Sequence, residues 1–214
     1  MPYHAALFDL DGTLLDTLTD LADAANHALA AVGRPPHPRE SYRTLVGQGI
    51  RQLFIDALGP GHGHLVDDAI AQQMRYYEHH RFDTTRPYPG IEAMMRGLAE
   101  RGVKPGVLSN KPDDATQDVV NRFFPSHDWA YIRGHRAGTT PKPDPHAALE
   151  AIETLGIPAK QWLYVGDTAV DMQTGKSAGM YTVGVSWGFR SVEELKTNGA
   201  DEIIDQPSDL LKLL

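Results

Sequence analysis

The chain has 214 residues, with 20 Lys+Arg against 28 Asp+Glu, a formal net charge of −8 at pH 7 and no cysteine. With 41% hydrophobic and 22% charged residues it can bury a core, which excludes bulk disorder. The absence of cysteine excludes a disulfide scaffold, thiolate zinc sites, iron–sulfur clusters and thiol catalysis.

The acidic balance, with no run of Lys or Arg, argues against a nucleic-acid partner. The N-terminal segment lacks a basic region and its apolar run is cut short by Asp9, so no signal peptide is expected. No stretch approaches the ~20 apolar residues of a membrane helix. These features predict a soluble, cytoplasmic protein without a membrane partner, of one domain or one domain with an insertion.

In chain order, residues 3–10 read as a buried strand. From Thr17 to about Thr85 helical patterning replaces strand signals, over residues 18–32, 40–45, 50–58 and 65–82. The Pro/Gly-rich segment 84–90 closes this interval. Thereafter helices and strands alternate. Helices are expected over 91–101, 113–123, 145–155, 169–178 and 192–196, and strands over 106–109, 129–132, 162–166, 181–186 and 202–205. Pro105 lacks the N–H of a central strand, so the second strand is expected to begin after it. Strands that are almost continuously apolar, alternating with helices, predict a parallel sheet covered on both faces. An all-helical insertion (17–85) interrupts a core formed by 1–16 and 86–214.

Chemistry concentrates at strand ends. In Phe8-Asp9-Leu10-Asp11-Gly12-Thr13 two carboxylates separated by one residue follow an apolar strand. In an extended chain they point to the same side and repel unless a cation or proton intervenes. A strand running into a polar turn would explain them more simply, but the carboxyl end of such a strand is also where ligands bind. A calcium loop fails on register, because Gly12 falls at the fourth position rather than the sixth and Asp20 stands where that loop needs Glu. A second acidic pair, Asp167 and Asp171, follows the strand at 162–166. A helix cap would account for one of these acids. If the two strands are neighbours, the carboxylates converge into an oxygen site suited to Mg²⁺. Ser109 and Asn110 end a third apolar run near an expected helix start, a natural phosphate seat. Lys142 stands between Pro141 and Pro143, as a surface-loop lysine or a fixed point charge.

Taken in order, Asp9-Leu10-Asp11-Gly12-Thr13, Ser109-Asn110, Lys142 and Gly166-Asp167…Asp171 resemble the four motifs of the haloacid dehalogenase-like superfamily, over essentially the whole chain. The resemblance implies a doubly wound, Rossmann-like α/β core with a small helical cap domain. It implies Asp9 as nucleophile, forming an aspartyl-phosphate, and Asp11 as the group that protonates the leaving alkoxide and then activates water. It places Mg²⁺ on Asp9, Asp11 through its carbonyl, and Asp167, with Asp171 in support. Gly12, Thr13, Ser109, Asn110 and Lys142 would bind the phosphoryl group. Dehalogenases of this superfamily do not keep an Asp two residues after the nucleophile, so Asp11 favours phosphate-ester chemistry.

Residues 16–21 and 45–51 further resemble the phosphoglycolate phosphatase group. This points to a small phosphorylated metabolite as partner, with 2-phosphoglycolate the leading candidate. Sugar-phosphate phosphatase, pyrophosphatase, phosphomutase and catalytically silent binding protein are the alternatives. In the cap, Gly47 and Arg51 are the candidate specificity residues, Arg51 through a two-pronged bond to a substrate carboxylate or else as a surface arginine. A monomer or homodimer is expected. Three decoys fail. Gly184-Val185-Ser186-Trp187-Gly188 mimics a serine-hydrolase elbow but no His follows it. Gly175-Lys176-Ser177 lacks the first glycine of a P-loop, and the His62/His64 and His79/His80 pairs lack metal-helix spacing.

Overall fold

The apolar runs become strands of one sheet. In a computed structural model, which describes residues 3–214, the chain divides into two compact units, Met1–Leu15 with Pro87–Leu214, and Asp16–Arg86. The first unit holds β1 (Ala5–Phe8), β4 (Lys104–Pro112), β5 (Tyr131–His135), β6 (Trp162–Gly166), β7 (Tyr181–Val185) and β8 (Glu202–Ile204). They form a six-stranded sheet in the order β5-β4-β1-β6-β7-β8, and every pairing is parallel. Two short strands, β2 (Leu15–Asp16) and β3 (Arg86–Pro87), pair where the chain passes between units.

Alternation along β1 explains its unbroken apolarity. Ala5 and Leu7 pack in one cluster with Trp162, Tyr164, Ala148 and Ala151. Ala6 and Phe8 point to the opposite face and are equally buried. Both faces of the sheet are therefore covered, by α5 (Ile91–Glu100), α6 (Asp113–Phe123), α7 (His146–Leu155), α8 (Ala169–Ser177) and α9 (Val192–Thr197). The order also reverses at β1. After β1 the chain builds outward through β4 and β5, then returns to the other side of β1 with β6. That reversal is a topological switch point, and in open α/β sheets ligands bind at such a point, here at the carboxyl ends of β4, β1 and β6.

Several boundaries differ from the sequence expectation for physical reasons. β4 starts at Lys104 and includes Pro105. Lys104 N–H donates to His4 O, the Pro105 carbonyl accepts from Ala130 N–H, and pairing with β5 begins only at Gly106 opposite Tyr131. The donor that proline lacks would face a position where β5 has not yet started, so no ladder bond is lost. β4 also continues to Pro112, so Ser109 and Asn110 lie within the strand, with the helix starting only at Asp113. β5 is displaced toward its C-terminal side relative to 129–132. A 3₁₀ turn over Pro207–Lys212, unassigned from sequence, packs on α5 and buries Leu210.

The second unit is helical: α1 (Leu18–Ala31), α2 (Tyr42–Leu45), α3 (Ile50–Leu58) and α4 (Val66–His80). On α1, buried Leu18, Leu21, Ala22, Ala25, Ala28 and Leu29 follow a helical period, and α1 packs along α4. Asp20, itself buried, accepts from the backbone N–H and hydroxyl groups of both Thr84 and Thr85 at 2.5–3.1 Å. This carboxylate ties the end of the unit to its beginning. No helix among the described residues is long and apolar enough to cross a membrane.

Candidate active site

Strand ends in the first unit deliver the site residues to the switch point. Asp9 extends β1 by one ladder bond, its N–H donating to Val165 O at 2.9 Å. The chain then folds tightly over the Leu10 carbonyl, which accepts from the N–H groups of Thr13, Leu14 and Leu15 at 3.0–3.3 Å. Gly12 makes this turn possible. Its φ is +89°, and a Cβ there would stand 2.3 Å from Asp167 Oδ2.

Asp167, at the end of β6, is wholly buried and fixed from two sides. Thr13 Oγ1 donates to its Oδ1 at 3.0 Å, and Phe189 N–H donates to its Oδ2 at 2.8 Å. Asp171 sits in the first turn of α8, where its Oδ2 accepts from the N–H and hydroxyl of Thr168 at 3.1 and 2.7 Å. Its other oxygen faces the Lys142 ammonium. Lys142 Nζ donates to Asp171 Oδ1 at 2.6 Å, Asp9 Oδ1 at 2.9 Å and Leu108 O at 3.0 Å, which occupies all its protons. The loop carrying Lys142 is held in turn by Asn110. Its Oδ1 accepts from Lys142 N–H at 2.8 Å and its Nδ2 donates to Lys142 O at 3.0 Å. The Asn110 carboxamide thus positions Lys142, a duty the sequence reading did not foresee. Ser109 Oγ accepts from Lys111 N–H at 3.2 Å, leaving its own O–H as a donor.

Asp9, Asp167 and Asp171 each present an oxygen within 4.8 Å of the others, the single such group among the described residues. Asp9 and Asp171 share one ammonium and Asp167 has none, and the acids respond accordingly. Burial first, then the Asp171 charge, pushes Asp9 up to about 7, against the pull of Lys142. Burial and the charges of Asp9 and Asp171 likewise raise Asp167 well above the ordinary range. Burial alone would lower Lys142, but Asp171 and Asp9 hold it well above its usual value. An all-oxygen donor set with surplus negative charge fits a hard divalent cation such as Mg²⁺.

The Asp11 carboxylate stands outside this group. Both its oxygens accept from Lys111 Nζ, at 2.7 and 3.0 Å. The carboxylate expected to carry the proton is therefore paired with Lys111, a lysine that the sequence reading passed over, while the Asp11 carbonyl, the expected metal ligand, is not engaged by this contact. The signal was the cation directly after Ser109-Asn110. In the helical unit, Gly47 has a φ of +119° and Arg51 forms a surface ion pair with Asp67. The decoys resolve as well. Ser186 Oγ donates to Asp205, Lys176 pairs with Asp201, and Gly188 leaves room for Asp167, whose Cβ would lie 2.2 Å from a Cβ at 188.

The model of the haloacid dehalogenase-like hydrolase family matches residues 6–185. A phosphoglycolate phosphatase of Pseudomonas putida is 34% identical over 212 residues, covering 96% of this chain and 77% of that protein. An N-acetylmuramic acid 6-phosphate phosphatase of Pseudomonas aeruginosa is 32% identical, covering 100% and 96%. Among solved structures, a provisionally assigned phosphoglycolate phosphatase from Lactobacillus delbrueckii subsp. bulgaricus superposes with a TM-score of 0.91 at 33% identity, over 99% of this chain and 98% of that one. With the four motifs gathered at one switch point and these relatives matching over nearly all of this chain, the chain belongs to the haloacid dehalogenase-like hydrolases, in their phosphoglycolate phosphatase-like group.

Proposed function

We propose that this phosphoric monoester hydrolase acts on a small phosphate ester that also carries a carboxylate, with 2-phosphoglycolate the best candidate, through an aspartyl-phosphate on Asp9. The observation that carries the reading is the convergence of Asp9, Asp167, Asp171 and Lys142 at the end of β1, with Asp11 two residues beyond the nucleophile. A named relative acts on phosphoglycolate and another on N-acetylmuramic acid 6-phosphate. The two substrates share a phosphate monoester and an acid group, which supports the class more strongly than either member.

Mg²⁺, held by Asp9, the Asp11 carbonyl and Asp167 with Asp171 in support, would neutralise charge on the transferring phosphoryl group. The residues of the chain supply the rest. An Asp9 carboxylate oxygen attacks phosphorus as the bond from phosphorus to the ester oxygen breaks, and the Asp11 carboxyl gives its proton to that departing oxygen. Water then attacks the aspartyl-phosphate, Asp11 takes back a proton, and phosphate leaves with Asp9 restored. Ser109, Gly12 and Thr13 orient the phosphoryl oxygens. Lys142, its protons engaged by Asp9, Asp171 and Leu108, faces them as a fixed positive charge, and Asn110 keeps Lys142 in place. Arg51 is the candidate to hold the substrate carboxylate, exchanging its exposed Asp67 partner for it.

The test is a phosphate-release screen over carboxylate-bearing and neutral phosphate esters, with and without Mg²⁺, using Asp9→Asn as control. Mg²⁺-dependent release that disappears in Asp9→Asn is expected. Undiminished turnover in folded Asp9→Asn overturns the mechanism, and an isomerised product with phosphate retained would make the enzyme a mutase.

A further inference from the structure

The two leading aspartates are each given their own ammonium. Lys142 serves Asp9, whereas Lys111, to which no role has been assigned, serves Asp11. The Lys111–Asp11 pair is largely withdrawn from water, with side-chain exposures of 4% and 11%. At the surface such a pair is screened and weak; at this depth, removing one partner leaves the other charge uncompensated. The lysine is also well anchored. It belongs to β4, the sheet neighbour of β1, and its backbone is held by Ser109 Oγ on the N–H and Thr116 Oγ1 on the carbonyl. Its ammonium spans both Asp11 oxygens, fixing the plane of the carboxyl group. An ionised carboxylate has about four lone-pair sites, so this grip still leaves room for a proton.

We infer that Lys111 is the positioning residue for Asp11, setting the orientation from which that carboxyl exchanges its proton with the leaving oxygen and with water. Lys111 keeps all its own protons throughout; the proton that moves is that of Asp11. The inference rests on the reading of Asp11 as proton carrier, and the experiment separates the two.

Two esters distinguish the possibilities, 2-phosphoglycolate and p-nitrophenyl phosphate. An alkoxide needs a proton to depart, whereas nitrophenolate leaves unaided. The readout is kcat/KM, which includes departure of the leaving group but not the later hydrolysis. General acid catalysis contributes about 10²–10⁴-fold. Lys111→Met is therefore expected to lower kcat/KM for the alkyl ester by about 30- to 100-fold and for the aryl ester by less than about threefold. Added to Asp11→Asn, it should cost the alkyl ester nothing further. Lys111→Arg keeps the charge but shifts the carboxyl, so it falls between wild type and Lys111→Met with the same selectivity. It carries the test if Lys111→Met does not fold. Equal losses on both esters would make Lys111 a phosphate-binding or purely structural cation and overturn the inference. If Asp11→Asn itself shows no selective loss on the alkyl ester, the proton-carrier reading fails and the inference falls with it. Selective loss in Asp11→Asn but not in the Lys111 variants overturns the inference alone.

Discussion

Asp9 sits where a charged carboxylate is costly. It is buried beside Asp167 and Asp171, and burial together with Asp171 lifts its proton affinity to about 7. Replacing it by Asn removes the proposed nucleophile and relieves like-charge crowding. Asp9→Asn is therefore expected to lose at least about a thousandfold in kcat while melting no lower than the metal-free wild type, as measured by phosphate release and thermal unfolding. Arg51 makes a different claim. Its side chain is 63% exposed and paired with a still more exposed Asp67, so it contributes little to the fold. Arg51→Ala should leave the melting temperature unchanged and raise KM for carboxylate esters about tenfold, with little effect on a neutral aryl phosphate. Steady-state kinetics on the two ester types checks this, and equal effects would remove Arg51 from substrate recognition.

At the scale of elements, α8 joins fold to site. Thr168 and Asp171 cap the helix reciprocally, and the same Asp171 uses its second oxygen to hold Lys142. Thr168→Ala removes one hydrogen bond from Asp171 and should cost about 1 kcal/mol in denaturant unfolding. It should also raise the Mg²⁺ concentration needed for half-maximal activity, because Asp171 becomes less well fixed. Elements were the most legible features of the sequence. Each helix and strand of the core follows from periodicity and turn residues within its own segment. Errors arose where a neighbour decides, as at Pro105, whose missing donor is harmless only because β5 starts one residue later. Likewise nothing local marks Lys111, because its partner Asp11 lies 100 positions away.

For the molecule as a whole, the net charge of −8 includes a buried acidic group that sets its pH response. Native, metal-free Asp9 holds its proton up to about 7, whereas an ordinary aspartate loses it near 3.8. Between those values the native state binds more protons than the unfolded chain, so stability falls as pH rises through the window. Asp167 acts in the same direction. Metal-free protein should therefore melt at a lower temperature at pH 8 than at pH 5.5. Mg²⁺ should raise the melting temperature more at pH 8, where the carboxylates it needs are already ionised. Calorimetry with and without chelator measures both effects, and a Mg²⁺ shift larger at pH 5.5 would contradict them.

What the sequence determined by itself were the features written in adjacent residues: apolar strands ending in Asp pairs, a helical interval after the first strand, and a lysine between prolines. Local sterics and hydrophobic periodicity suffice for these, because they act over a few positions. The tertiary structure decided which strand ends meet. The order β5-β4-β1-β6-β7-β8 puts Asp167 beside Asp9, Thr13 on Asp167, and Lys111 on Asp11. Such pairings depend on sheet order and on close backbone approach at Gly12 and Gly188, which no local pattern encodes. The sequence thus showed which charges the site contains, and the packing of the sheet assigned each its counter-charge.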